Sequence, residues 1–226
     1  MSAGEDPRHA RLVAEARRRL EGAPPSHDFS HVLRVVESAQ RIALAEGANL
    51  EVCRTAALLH ELVNLPKNHP GSALSGDLCA EEARALLERE GHEPSFCDEV
   101  ALAIRDHAFS KGVVPSGLSS RVLQDADRLD AIGAIGVARC MATASEMGSL
   151  FYAPTDPTCR ERAPDDKAFA LDHFYKKLFL VPERLHTSTA RRMAAERMAF
   201  MKAFVEQLGR EVGFDAPEGG LAGGSL

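Results

Sequence analysis

The feature that most constrains this chain is the spacing of its apolar residues. Nearly every long segment repeats at steps of three and four, and no stretch alternates convincingly. Over residues ~5–21, Leu12, Ala16 and Leu20 recur every fourth position with arginines between them. A stripe of Val32, Val35, Val36, Ala39, Ile42 and Ala43 predicts a helix over ~27–46, with Ser26 as N-cap and Gly47 as C-cap. Asn49 can cap the next helix, which carries Val52, Ala56, Leu59 and His60 on or near its inward side. The stretch Asn64 to Gly76, with Pro66, Pro70 and Gly71, reads as a loop. Further helices are expected at ~77–90, ~95–109, ~119–147, ~167–179 and ~187–212. Gly133 and Gly136 inside the long one either interrupt it or allow close helix–helix approach. The expected fold class is all-α, with one helical domain over 1–213 and a Gly-rich, flexible tail over 214–226.

Composition removes several function classes. A chain of 226 residues with 45% hydrophobic and 27% charged residues is expected to fold as a globular domain. No apolar run approaches the ~18–20 residues of a membrane helix, and the first residues lack an apolar leader core. A net charge of −6 argues against an extended nucleic-acid-binding face, and no Trp with only two Tyr argues against base-stacking platforms. Five cysteines without CxxC spacing read as reduced thiols of a cytoplasmic protein.

Three clusters carry chemistry. His27-Asp28-Phe29-Ser30-His31 puts two imidazoles four residues apart, on one helical face. His60-Glu61 closes an apolar, small-residue helix, where a charge needs a partner or a solvated helix end. Asp125-Ala126-Asp127-Arg128-Leu129-Asp130 sets three acids between Val122-Leu123 and Ala131-Ile132; on a helix Asp125 and Asp127 point apart, and Asp127 and Asp130 lie close. Together His31, His60, Glu61 and Asp127 offer two imidazoles and two carboxylates. That mixed set suits Mn, Fe, Co, Ni or Zn better than a structural cysteine site would.

The order His…His-acid…Asp on successive helices resembles the HD-domain metal-dependent phosphohydrolases. SHDFSHVLRVVESA, TAALLHELVNLPKNHP, AIRDHAFS, VLQDADRLDAIGAIGVAR and HFYKKLFLVPERLHTSTARRMAAERMAFMKAF are similar to a small bacterial branch of that superfamily, over roughly residues 10–210. The resemblance implies an HD-type helical bundle with a metal site in its core. It implies His31, His60, Glu61 and Asp127 as ligands of a divalent ion (Mn, Fe, Co, Ni, Zn or Mg), with Glu61 standing where the family has aspartate. It further implies a metal-activated water attacking a small-molecule phosphate, most naturally a nucleotide, with Asp127 orienting the water and His27 or His107 as proton donor. His107 also suits a plain helix-end residue. Lys67 and Arg128 are candidate phosphate contacts, as are Arg105, Lys176 and Lys177; Arg128 equally suits an ion pair with Asp125. His69 is either a loop residue or a ligand to a second ion. His9, His92, His173 and His186 are expected at the surface. Two other readings accompany this one: a catalytically impaired nucleotide- or protein-binding scaffold, favoured by Glu61, and a di-iron oxygenase. Homo-oligomerisation is left open.

Overall fold

The computed structural model describes residues 6–23, 27–63, 65, 74–107 and 114–214. Among them the regular structure is helical: α1 (Pro7–Arg19), α2 (Phe29–Glu46), α3 (Leu50–Leu59), α4 (Ser75–Arg89), α5 (Pro94–His107), α6 (Leu118–Asp130), α7 (Gly133–Glu146), α8 (Asp172–Lys176), a 3-10 segment (Leu178–Arg184) and α9 (Ser188–Glu211). The one β-type pairing there is an isolated bridge between Leu150 and Phe169. No helix among the described residues is long and apolar enough to cross a membrane.

The chain divides into two compact units. The first holds residues up to Ala131 together with Arg184–Met193. Within it α2 lies against α3 and α6, α5 against α3, α4 and α6, and α1 against α3. The core of this unit is aliphatic: Val32, Val35, Ile42, Leu59, Leu87, Ile104, Leu123 and Leu129 have no more than trace exposure. Local chemistry sets the helix ends. Asp28, not Ser26, caps α2: its carboxylate accepts from the His31 amide at 2.9 Å. Ser26 itself lies outside the described residues. Gly47 ends α2 in the left-handed region at φ +72°, as its sequence position suggests. Asn49 caps α3 through the Val52 amide.

The second unit comprises Ile132–Glu183 and the residues from Ala194 onward. Here the sequence expectation needs two corrections. The single helix at ~119–147 is two helices, because Ala131-Ile132 breaks it and Gly133 starts α7 at φ +80°. The backbone angle favours glycine, and a Cβ there would stand 3.0 Å from Arg197 Cγ, so the arginine side chain would have to give way slightly. The helix expected at ~167–179 is only the five-residue α8 followed by the 3-10 segment around Pro182. This unit is organised by a fully buried carboxylate. Asp172 accepts a two-point bond from Arg162, one arm of it at 2.7 Å, and the amide of Asp165 at 2.6 Å. Burial acts to raise this carboxyl, but these donors outweigh it and hold it below the usual range.

The free thiols are Cys53, Cys79 and Cys97, which are buried, and Cys140 and Cys159, which are half-buried. The expected tail beyond Phe214 lies outside the described residues.

Candidate metal centre

Four helices of the first unit bring their chemistry to one place. His31 comes from the first turn of α2, His60 is the residue that terminates α3, His107 ends α5, and Asp127 sits on α6. His31 and His60 are buried in the apolar core described above. Their Nε2 atoms face each other at 3.3 Å. Asp127 Oδ1 stands 3.5 Å from His31 Nε2, and Glu61 Oε1 stands 3.8 and 3.9 Å from the Nε2 atoms of His31 and His60.

The outer nitrogens explain why the inner ones point inward. His60 Nδ1 lies 2.7 Å from the carbonyl of Ala57. A carbonyl only accepts, so Nδ1 carries the proton and Nε2 is left with a lone pair. Burial pushes His60 down to about 4, which keeps this imidazole neutral near pH 7. His31 Nδ1 lies 2.7 Å from Asp130 Oδ2. Burial acts to raise Asp130, but the hydrogen bonds from His31 and Arg34 win and hold it well below the usual carboxylate range. An ionised Asp130 only accepts, so Nδ1 is the donor of this pair and Nε2 is the nitrogen turned toward His60. Asp130 thus holds one nitrogen of the ring while Asp127, one turn earlier on α6, stands beside the other.

Two ring nitrogens facing at 3.3 Å need something positive between them, a shared proton or a metal ion. For ions bonded at about 2.0–2.2 Å, neighbouring ligand atoms stand roughly 2.8–3.6 Å apart, from octahedral to tetrahedral geometry. The His31–His60 and His31–Asp127 separations fall in that span. The side chains of His31, His60 and Asp127 could hold a metal, and so could His27, His31 and Glu61. The donor chemistry fits a divalent ion with mixed nitrogen and oxygen ligands.

Glu61 is turned toward His27. Its Oε1 lies 3.1 Å from His27 Nδ1. Burial acts to raise this carboxyl, yet the surrounding imidazoles bring it down to about 2. The edge of the His107 ring meets His60, with centroids 5.3 Å apart, and His107 Nδ1 lies 2.5 Å from the Ile104 carbonyl.

The remaining sequence candidates are placed differently. Lys67 and His69 lie outside the described residues. Arg128 gives its NH1 to the Arg184 carbonyl and lies 3.2 Å from His186 Nε2. Asp125 is fully buried and accepts from the amides of His186 and Thr187 and from the Thr187 hydroxyl, fastening that segment to α6. Arg105 pairs with Asp77, and Lys176 and Lys177 pair with Asp166. His9, His92, His173 and His186, expected at the surface, are half-buried; His186 Nε2 sits 2.5 Å from Gln124 Oε1, and His92 stacks on Phe96.

Sequence reasoning gave no role to Asp130 or Arg34. The signals were available. Asp130 follows Asp127 by three residues in an apolar stretch, and Arg34 follows His31 by three.

Fold and site together define the HD-domain class, and a family model for the HD domain matches residues 28–132. The chain is also similar to the Bacillus subtilis protein YpgQ, at 34% identity over 195 residues, covering 84% of this chain and 87% of that one. This chain belongs to the HD-domain family. Among solved structures, that of Bacillus subtilis YpgQ in complex with ADP matches with a TM-score of 0.72 and 32% identity, covering 92% of this chain and 97% of that one. A structure from Bacillus thuringiensis described as an HD-superfamily hydrolase matches with a TM-score of 0.69 and 30% identity, covering 89% and 95%.

Proposed function

We propose that this chain is a metal-dependent phosphohydrolase acting on a nucleotide or another small phosphate ester or anhydride. The observation that carries the reading is the pair of inward-facing Nε2 atoms at 3.3 Å with carboxylate oxygens of Asp127 and Glu61 beside them. His31, His60, Asp127 and Glu61 would hold a divalent ion, which would supply an activated water and a Lewis acid for a phosphoryl oxygen at neutral pH. The identity of that ion, among Mn, Fe, Co, Ni, Zn and Mg, belongs to the same proposal.

The chain's own groups do the rest. Ala57 and Asp130 fix the rings of His60 and His31, so the donors need no reorganisation as charge develops. His107, with its Nδ1 proton held by the Ile104 carbonyl, can hand a proton from Nε2 to the leaving oxygen once Nε2 has taken one up from solvent, returning to the neutral ring as it does so. His27 can do the same from Nε2 after the same uptake of a proton there, its Nδ1 proton being engaged by Glu61. Lys67 and Arg128 balance charge on the spectator oxygens; Arg128 must first leave the Arg184 carbonyl. The relative crystallised with ADP supports a nucleotide as the ligand class. A cytoplasmic setting agrees with the free thiols.

A second reading, a nucleotide-binding scaffold with little turnover, draws on one observation. The extra methylene of Glu61 lets its carboxylate engage His27 at 3.1 Å while standing farther from His31 and His60. A phosphate-release screen separates the two. Protein stripped with chelator is reloaded with Mn, Co, Ni or Mg and offered nucleoside mono-, di- and triphosphates. Metal-dependent release supports the enzyme; nucleotide binding without release under every ion supports the scaffold.

A further inference from the structure

Arg34 takes no part in the chemistry above, yet it is fastened to it. It follows His31 by three residues on α2, so the two side chains rise from neighbouring positions on one face. Its Nε donates to Asp130 Oδ1 at 2.7 Å and its second terminal nitrogen to Asp130 Oδ2 at 3.0 Å. Asp130 Oδ2 is also the atom that faces His31 Nδ1 at 2.7 Å. The Asp130 side chain is only 4% exposed, so the protein rather than water must satisfy it.

The geometry has a mechanical consequence. The terminal torsion of an aspartate is broad and roughly two-fold, so a carboxylate held at one oxygen can turn about its own axis. Arg34 grips both oxygens with a planar fork and removes that freedom. The oxygen presented to His31 is then fixed in direction, and the plane of the imidazole with it.

We propose that Arg34 is a positioning residue for the candidate metal centre. Acting through Asp130, it sets the ring plane and tautomer of His31, so that Nε2 is aimed at His60 Nε2 and Asp127 Oδ1. This rests on the metal reading of the site. A plain ion pair joining α2 to α6 would stabilise the fold and leave the donor directions unchanged; the positioning role makes affinity for the ion depend on a residue that touches no ligand atom of it.

The test is Co2+ binding to the full chain, measured by calorimetry and by the visible d–d spectrum, for wild type, Arg34→Met, Arg34→Lys and His31→Ala. Wild type binds. Arg34→Met binds about tenfold more weakly, at the lower end of the range for outer-shell partners, with a shifted or broadened band. Arg34→Lys, which keeps the charge but offers one point of contact, recovers part of both. His31→Ala loses the site. Wild-type affinity and spectrum in Arg34→Met, with or without a lower melting temperature, overturn the positioning role and leave the metal reading standing. Absence of binding by wild type overturns both. If Arg34→Met does not fold, Arg34→Gln decides in its place, and an unchanged affinity and spectrum there overturn the proposal.

Discussion

Adding a divalent ion to chelator-stripped protein should raise its melting temperature, and the size of the effect follows from where the donors come from. His31, His60 and Asp127 belong to α2, the end of α3, and α6, separated by 29 residues and then by 67. The unfolded chain does not hold them together, so the ion binds the folded state selectively. At a concentration one hundred times Kd, such a ligand stabilises by about 2.7 kcal/mol. A chain of this length shifts by about 2–4 °C per kcal/mol, which gives a rise of roughly 5–11 °C. Differential scanning fluorimetry on stripped protein, with Mn2+, Co2+ or Ni2+ titrated in, measures it directly. His60→Ala leaves a cavity and melts lower at the start, but the rise on adding metal should fall to near zero. A stripped wild-type protein whose melting temperature ignores all three ions would refute the reasoning, as would a His60→Ala variant that keeps the full rise.

Three further outcomes are expected. Glu61→Asp should keep or raise turnover, because the shorter carboxylate withdraws from His27 Nδ1, now 3.1 Å away, and a large loss in the phosphate-release assay would mean the pocket is adapted to glutamate. Asp172→Asn should cost about 3–5 kcal/mol in urea unfolding, since Arg162 then faces a buried neutral group. The folded Asp172 carboxyl lies below its unfolded value near 3.9, so its contribution is fully present above about pH 4 and is lost as pH falls from there toward the folded value; the variant should accordingly lose less stability than wild type across that acid window. Gly133→Ala should destabilise by about 1–2 kcal/mol from the left-handed backbone at φ +80°, before the contact with Arg197 is counted, and an unchanged unfolding midpoint would contradict that.

The helices were legible because each buries one apolar stripe, and periodicity records burial. Val32, Val35, Ala39 and Ile42, read as a stripe, are all fully buried in α2. What periodicity does not record is a local change of backbone direction within an apolar stretch. α6 and α7 run together in the apolar pattern of the sequence, and the extended Ile132 with the positive φ of Gly133 separates them. The site was legible in its inner donors, whose residue types and order are distinctive. Its outer partners were not, since nothing in the sequence pairs Arg34 with Asp130 until the fold sets α2 against α6. His186 was misread for the same reason: its Nε2 meets Gln124 only after Asp125 has fastened the Arg184–Thr187 segment to α6.

The central claim is that the side chains at 31, 60, 61 and 127 gather one divalent ion that drives phosphate release. The most direct measurement is turnover of nucleoside phosphates by Asp127→Ala beside wild type, each stripped and then reloaded with Mn2+ or Co2+, with circular dichroism as the check on folding. The account predicts metal-dependent phosphate release by wild type and none above background by the folded variant. Equal release by both proteins, or release by wild type that is indifferent to the ion, would contradict it.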